Sequence, residues 1–211
     1  MNQKQISEIS GYRYSDAETN HSHSILPEPT FAVLEQFFSE CGTPRRVFDL
    51  GCGNGSVAAL LSSKGFEVAG VDPSTEGIAQ GRQAYPGLRL EVGSAYEDLV
   101  ARFGRFPAII SLEVVEHVYA PRDYARTLFQ MLEPGGIAVL STPYHGYLKN
   151  LALALTGKMD AHFTALWDHG HIEFWSIQTL SALLQEVGFE PPTFLRVGRV
   201  PPLAKSMIAV A

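Results

Sequence analysis

Apolar positions change their spacing near residue 26 and again after Thr142, and the stretch between keeps a strand–helix rhythm. The first 26 residues are polar, with Tyr12, Tyr14, His21 and His23 scattered among them, and read as an arm. A helix is expected from about Pro29 through Phe31, Leu34, Phe37 and Phe38 to Gly42, since proline suits a first helical turn. Short apolar runs at 46–50, 66–71, 88–92, 107–112 and 137–141 then read as strands, the fourth apolar enough for burial on both faces. Between them the pattern predicts helices over Ser56–Lys64, Ser74–Ala84, Glu113–Val118 and Arg122–Leu132. The rhythm breaks for about thirty residues after Thr142. It resumes with a helix over 177–187, stopped by Gly188, and two extended segments, Thr193–Gly198 and Ser206–Val210, whose short connection makes an antiparallel hairpin. Alternating strands and helices require right-handed crossovers. The expected class is α/β, a doubly wound, mostly parallel seven-stranded sheet with a C-terminal antiparallel hairpin.

Composition narrows the function. With 211 residues, 45% hydrophobic and 18% charged, the chain has the material for one substantial core and is not disordered. Sixteen Lys and Arg against 22 Asp and Glu leave a net charge of −6, which argues against a nucleic-acid binder that works by displacing counterions. Two cysteines, Cys41 and Cys52, make neither a disulfide framework nor a thiolate metal site. No apolar run approaches the ~18–20 residues that span a bilayer. The start M-N-Q-K-Q-I-S-E-I-S lacks the apolar stretch of a secretion signal, so the expectation is a cytoplasmic protein. Nothing in the sequence sets an oligomeric state.

The strongest chemical signal is V-F-D-L-G-C-G-N-G, Val47 to Gly55. Glycines at 51, 53 and 55 leave a strand tip and enter a helix, where missing Cβ atoms let a ligand approach the backbone. A dinucleotide site wants G-x-G-x-x-G, and Ser56 stands where its last glycine belongs. Asp49, just before the glycines, would repel a pyrophosphate but suits an ammonium group. Asp72 lies 21 positions after Gly51 at the tip of the second strand, where a carboxylate accepts two hydrogen bonds from a ribose diol. A second constellation is S-L-E-V-V-E-H-V: on a helix Glu113, Glu116 and His117 share one face. Two carboxylates and an imidazole suit an octahedral magnesium or manganese ion; the alternative is a charge at a helix N-terminus and a packing histidine.

The acid–glycine–acid set resembles the class I S-adenosylmethionine-dependent methyltransferases, in detail over residues 30–141. The resemblance implies a Rossmann-like sheet in which Gly51, Gly53 and Gly55 border the methionine part of the cofactor. By the same likeness Asp49 faces the amino group, Asp72 holds the ribose hydroxyls and Leu112 sits against the cofactor. Cys52 and Pro73, within these motifs, complete the expected set. Where the family often has an acid near the adenine, this chain has Gly93-Ser94-Ala95-Tyr96, so Ser94 and Ala95 are expected there.

The E-x-x-E-H segment looks like one in the ubiquinone-biosynthesis O-methyltransferases, where it is associated with a divalent metal. It also looks like one in the small-RNA 3′-terminal 2′-O-methyltransferases, where a later histidine completes the site. Asp168 to Trp175, D-H-G-H-I-E-F-W, offers His171 as that fourth ligand and His169 as second choice. An arginine that the quinone-pathway enzymes place ahead of the glycine loop has no counterpart; the position falls near Phe31.

Residues 143–172 would form a lid over the methyl end, with Tyr147, Leu148, Leu151, Leu153, Leu155, Phe163, Leu166 and Trp167 making a pocket, touching lipid peripherally or packing on the sheet. The expected organisation is one methyltransferase domain over 1–211 with an arm over 1–27. The expected reaction is O-methylation of a small-molecule, phenol- or quinol-like acceptor, with Glu116 and His117 assisting and His117 or His145 as general base if no metal binds. An RNA 2′-O-methyltransferase and a non-catalytic cofactor-binding protein are the rivals. The RNA reading needs a cationic track that this composition lacks.

Overall fold

The computed structural model describes residues 24–163, 165–167 and 170–211. The polar arm before residue 24, and His169, lie outside them. A helix α1 (Pro27–Cys41) leads into β1 (Arg46–Leu50), α2 (Ser56–Ser63), β2 (Glu67–Asp72), α3 (Thr75–Ala84), β3 (Arg89–Val92), α4 (Leu99–Phe103) and β4 (Phe106–Leu112). Then follow α5 (Pro121–Met131), β5 (Leu132–Pro143), α6 (Tyr147–Leu155), α7 (Met159–Phe163), α8 (Ile177–Val187), β6 (Thr193–Val197) and β7 (Ser206–Val210). The strands form one sheet in the order β3-β2-β1-β4-β5-β7-β6, with the first five parallel and β7 antiparallel to both its neighbours. The expected seven-stranded doubly wound fold is the observed one.

Alternation along the central strands builds a core on each face. Phe48, Leu50 and Ile109 point to the side covered by α4, α5 and α8, through Leu99, Tyr124, Leu128, Leu180 and Leu184. Val47, Ala108 and Ile110 point to the side covered by α1, α2 and α3, through Leu34, Phe38, Leu61 and Ile78. All seven residues of β4 are buried, which is why it reads as a continuous apolar run. The order puts β1 between β2 and β4, so the chain leaves the strand tips in opposite directions and opens a crevice beyond the carboxyl ends of β1, β2 and β4.

The structure departs from the sequence pattern in three places. Glu113–Val118 is a turn rather than a helix: Glu113 takes a left-handed φ of 56°, and His117 N–H closes back on the Val114 carbonyl at 2.9 Å. Its residues are therefore gathered by a tight reversal, not by helical spacing. The excursion after β5 contains two short helices, α6 and α7, which the break in rhythm concealed. None of α6 is buried, and Tyr147 and Leu155 are each 79% exposed, so its apolar residues do not pack onto the sheet. Finally, α4 is a single helical turn capped by Asp98, too short to show a period.

Candidate active site

The tip of β1 is tied down by backbone bonds: the N–H groups of Gly51 and Cys52 both donate to the Val71 carbonyl, at 2.8 and 2.9 Å. Gly51, Gly53 and Gly55 all have positive φ. A Cβ on Gly51 would come within 2.4 Å of Val114 Cγ2, so the strand end requires glycine for space as well as for conformation. Asp72 locks the loop from β2. Its Oδ2 accepts from Gly53 N at 2.9 Å and its Oδ1 from Ser74 N at 2.8 Å, while Ser74 Oγ caps α3 through Gly77 N at 3.0 Å. Each carboxylate oxygen keeps lone-pair capacity for a ligand.

Asp49 is buried beneath the same loop, and its Oδ2 has no hydrogen-bond partner among the described residues. Burial, and next the charge of Asp72, push its pKa up to about 8. Burial also raises Asp72, to about 6, against the lowering effect of its two backbone donors. Two buried carboxylates facing one crevice form a cation-seeking site.

A cavity of about 800 Å³ runs from this loop past the end of β4 to the excursion. Asp49, Gly51, Cys52, Gly53, Asp72, Pro73, Ser94, Ala95 and Leu112 line one half. Gly55 does not line it; it starts α2, where a Cβ would meet Leu90 Cδ1 at 2.5 Å. Tyr96 and Tyr119 close that half, with ring centroids 4.6 Å apart. Tyr96 Oη accepts from Ala120 N, and the Ser94 hydroxyl accepts from Tyr96 N.

The far half is organised by the 113–118 turn. Trp175 Nε1 donates to the Val115 carbonyl at 3.0 Å, and the N–H groups of Ile172 and Glu173 both donate to the Glu116 carbonyl at 2.9 and 3.0 Å. These bonds pull residues 170–175 over the turn and bring His171 to His117, ring centroids 4.9 Å apart. Ligand atoms of Glu116, His117 and His171 lie within 4.8 Å of one another. Glu113 is turned differently: its Oε1 accepts from Ser141 Oγ at 2.9 Å, and Ser206 and Lys149 also act on it. Burial raises Glu113 to about 7 and holds Glu116 well above the usual carboxylate range, with the Glu113 charge adding to the effect at Glu116. Burial pushes His171 and His145 down to about 4, helped by His117 at the first and Lys149 at the second. Both imidazoles are thus neutral near pH 7.

A methyltransferase-domain family profile matches residues 23–192, more than half of the chain. The chain is a class I S-adenosylmethionine-dependent methyltransferase. Among curated relatives, this methyltransferase is 30% identical over 175 residues to the ubiquinone biosynthesis O-methyltransferase of Ruegeria pomeroyi, covering 77% of this chain and 68% of that one. It spans between 48% and 68% of the length of the first such relatives. Its fold is similar to the methyltransferase domain of a bacterial Hen1, CtHen1-CN, with a TM-score of 0.63 at 21% identity over 87% of this chain and 95% of that one. It is likewise similar to magnesium protoporphyrin IX methyltransferase from Synechocystis PCC 6803, solved with bound SAH, with a TM-score of 0.64 at 16% identity over 93% and 89%.

The methyltransferase crevice also holds residues that motif spacing did not single out. His162, on α7, stands 5.4 Å from His145 between ring centroids. Lys149, Lys158, Arg199 and Lys205 line the far half of the cavity. They sit on the excursion and on the β6–β7 connection, segments with no periodic signal, and only a map of charge on the folded chain finds them.

Proposed function

We propose that this methyltransferase moves the methyl group of S-adenosylmethionine to the hydroxyl of a small phenol- or quinol-like acceptor, with a divalent ion, magnesium or manganese, assisting. The observation that carries this reading is the meeting of buried Glu116 with His117 and His171, the two histidines lining the cavity beyond the glycine loop. That donor set fits an ion. Glu116 is 1% exposed, and no well-formed hydrogen bond reaches either carboxylate oxygen among the described residues; Thr142 and the Glu116 backbone only partly offset its burial, an arrangement that a cation relieves. His117 Nδ1 lies 3.2 Å from the Gly170 carbonyl, which only accepts, so Nδ1 carries the proton and Nε2 the lone pair.

In this reading Asp49 takes the cofactor's ammonium group and Asp72 its ribose diol. Gly51, Cys52, Gly53 and Pro73 border it, Gly55 supports the loop, Leu112 packs against it, and Ser94 and Ala95 lie at the adenine. The sulfonium supplies an already activated methyl group, so the protein's task is alignment and exclusion of water. Glu116, His117 and His171 would hold the ion, with Glu113 as a neighbouring charge; once bound, it would polarise an acceptor hydroxyl as a Lewis acid. His145 at about pKa 4 is a weak base near neutrality, which favours the ion over it for activating the acceptor.

Residues 143–172 act as the lid of a single domain over 1–211 with an arm over 1–27, and the enzyme works in the cytoplasm. Supporting this, α6 and α7 border the cavity mouth, and among the described residues no helix is long and apolar enough to cross a membrane. The relatives named for ubiquinone biosynthesis support the O-methyl chemistry. The test is turnover of labelled cofactor on catechols, quinols and short RNAs, in chelator and after magnesium or manganese add-back. Metal-dependent labelling of the phenols is expected. Full activity in chelator overturns the metal role, and labelling of RNA alone overturns the acceptor class.

A further inference from the structure

The cavity is divided by charge. Asp49 and Asp72 line the glycine-loop half, whereas Lys149, Lys158, Arg199 and Lys205 line the other, where Glu113 is the one lining carboxylate among the described residues. Glu113 already accepts from Ser141. Elsewhere among the described residues Arg45, Arg46, Arg89, Arg102, Arg122 and Arg126 are each ion-paired with an Asp or Glu, whereas Lys64 and Arg196 lie over aromatic rings and Arg82 bonds a backbone carbonyl. Among the described residues Lys149, Lys158 and Arg199 have no carboxylate within ion-pair distance.

Among these cations Lys149 is fixed in position by backbone carbonyls. Lys149 Nζ donates to the Tyr144 carbonyl at 2.8 Å and reaches the Lys205 carbonyl at 3.4 Å, which pins α6 against the β6–β7 connection. Lys149 is half-buried; burial and next the nearby Arg199 disfavour its charge, against a smaller favourable effect of Glu113. Like charges gathered at a low-dielectric cavity wall repel one another, and an anion placed among them converts that repulsion to attraction.

We infer that the methyl acceptor carries an anionic group, a carboxylate or a phosphate, which Lys149, Lys158 and Arg199 grip at the end of the cavity opposite the glycine loop. The inference rests on the methyl-transfer reading for the acceptor's place in the crevice. The cofactor's positive groups meet the acidic half and the acceptor's negative group meets the basic half, so the two ligands are sorted end to end and the acceptor hydroxyl is presented between them. Guanidinium and ammonium groups suit either oxyanion, and the arrangement selects against neutral and cationic phenols of the same shape.

The test is a binding measurement on the protein loaded with S-adenosylhomocysteine, so it fails separately from turnover. Catechol, 3,4-dihydroxybenzoate, catechol monophosphate and dopamine form a charge series on one ring. At least one of the two anions is expected to bind on the order of tenfold tighter than catechol, and dopamine more weakly than catechol. Comparing the two anions separates carboxylate from phosphate. In Lys158→Glu/Arg199→Glu, both exposed positions, the preference is expected to fall to within about twofold, with the thermal midpoint reporting a folded protein. Affinities that ignore charge, a preference that survives in the double variant, or no binding of either anion overturns the inference. Capture by RNA or by phosphatidylglycerol vesicles without binding of the small anions also overturns it, in favour of a macromolecular acceptor or surface.

Discussion

Replacing Asp72 with alanine separates what this residue does for the loop from what it does for the ligand. In the ligand-free protein, its carboxylate satisfies two buried backbone donors, Gly53 N and Ser74 N. Removing it orphans both, at about 1–3 kcal/mol for each fully buried group. Water entering the opened crevice recovers part of this, leaving a net loss of about 2 kcal/mol and a melting temperature lower by ~4–8 °C for a domain of this size. If the carboxylate also takes the ribose diol, two charge-assisted hydrogen bonds disappear, about 1.5–3 kcal/mol each, and affinity for S-adenosylhomocysteine drops at least ~100-fold. Calorimetry at pH 7.5 reads the affinity and a thermal melt reads the loop. Asp72→Asn refines the result, because the amide keeps one acceptor but turns an NH2 toward the other backbone donor, so an intermediate stability is expected. A folded Asp72→Ala protein that binds S-adenosylhomocysteine within threefold of wild type refutes the ribose role. A lowered melting temperature alone would then mark a purely structural aspartate.

Asp49 at about 8 and Asp72 at about 6 hold protons in the ligand-free fold that the unfolded chain releases near 3.8, so that fold loses stability as pH rises from about 4 to 8. A cationic cofactor favours the ionised carboxylates, so binding releases protons and tightens through the same window; titrations in buffers of different ionisation enthalpy should differ, and equal heats contradict the assignment. Gly51→Ala places a methyl 2.4 Å from Val114 Cγ2 at a φ of 88°, and should cost about 1–2 kcal/mol from backbone strain alone, with cofactor affinity falling alongside; wild-type binding would mean that the strand tip relaxes freely. Glu116→Gln should abolish metal dependence and most turnover while leaving cofactor affinity within about threefold, because it lies apart from Asp49 and Asp72; unchanged metal stimulation assigns the ion elsewhere. Deleting residues 148–158 should raise the acceptor KM more than that of the cofactor, and equal damage to both in a folded deletion removes the lid role.

Local pattern determined the strands, the longer helices α1, α2, α3, α5 and α8, and the loop at the tip of β1, because each is a short-range consequence of sequence. Period-two and period-3.6 burial specify the elements, glycines with positive φ specify the tip of β1, and a carboxylate at the end of β2 sits beside that tip once the strands are parallel neighbours. Asp49, Gly51, Gly53 and Asp72 were legible for that reason. The far half of the cavity was not. Glu113, Glu116 and His117 suggested a helical face, but Glu113 adopts a left-handed conformation and the segment closes as a turn that sends Glu113 to Ser141 and Glu116 toward the histidines. His171 stood out only by resemblance; its place is decided by Trp175, Ile172 and Glu173 bonding back across more than fifty residues to Val115 and Glu116. Lys149, Lys158 and Arg199 carry no periodic signal, and they become a group only when α6 packs against the β6–β7 connection. Side chains that meet through long-range backbone bonds and packing have no fixed spacing in the chain, so their meeting was decided by tertiary structure alone.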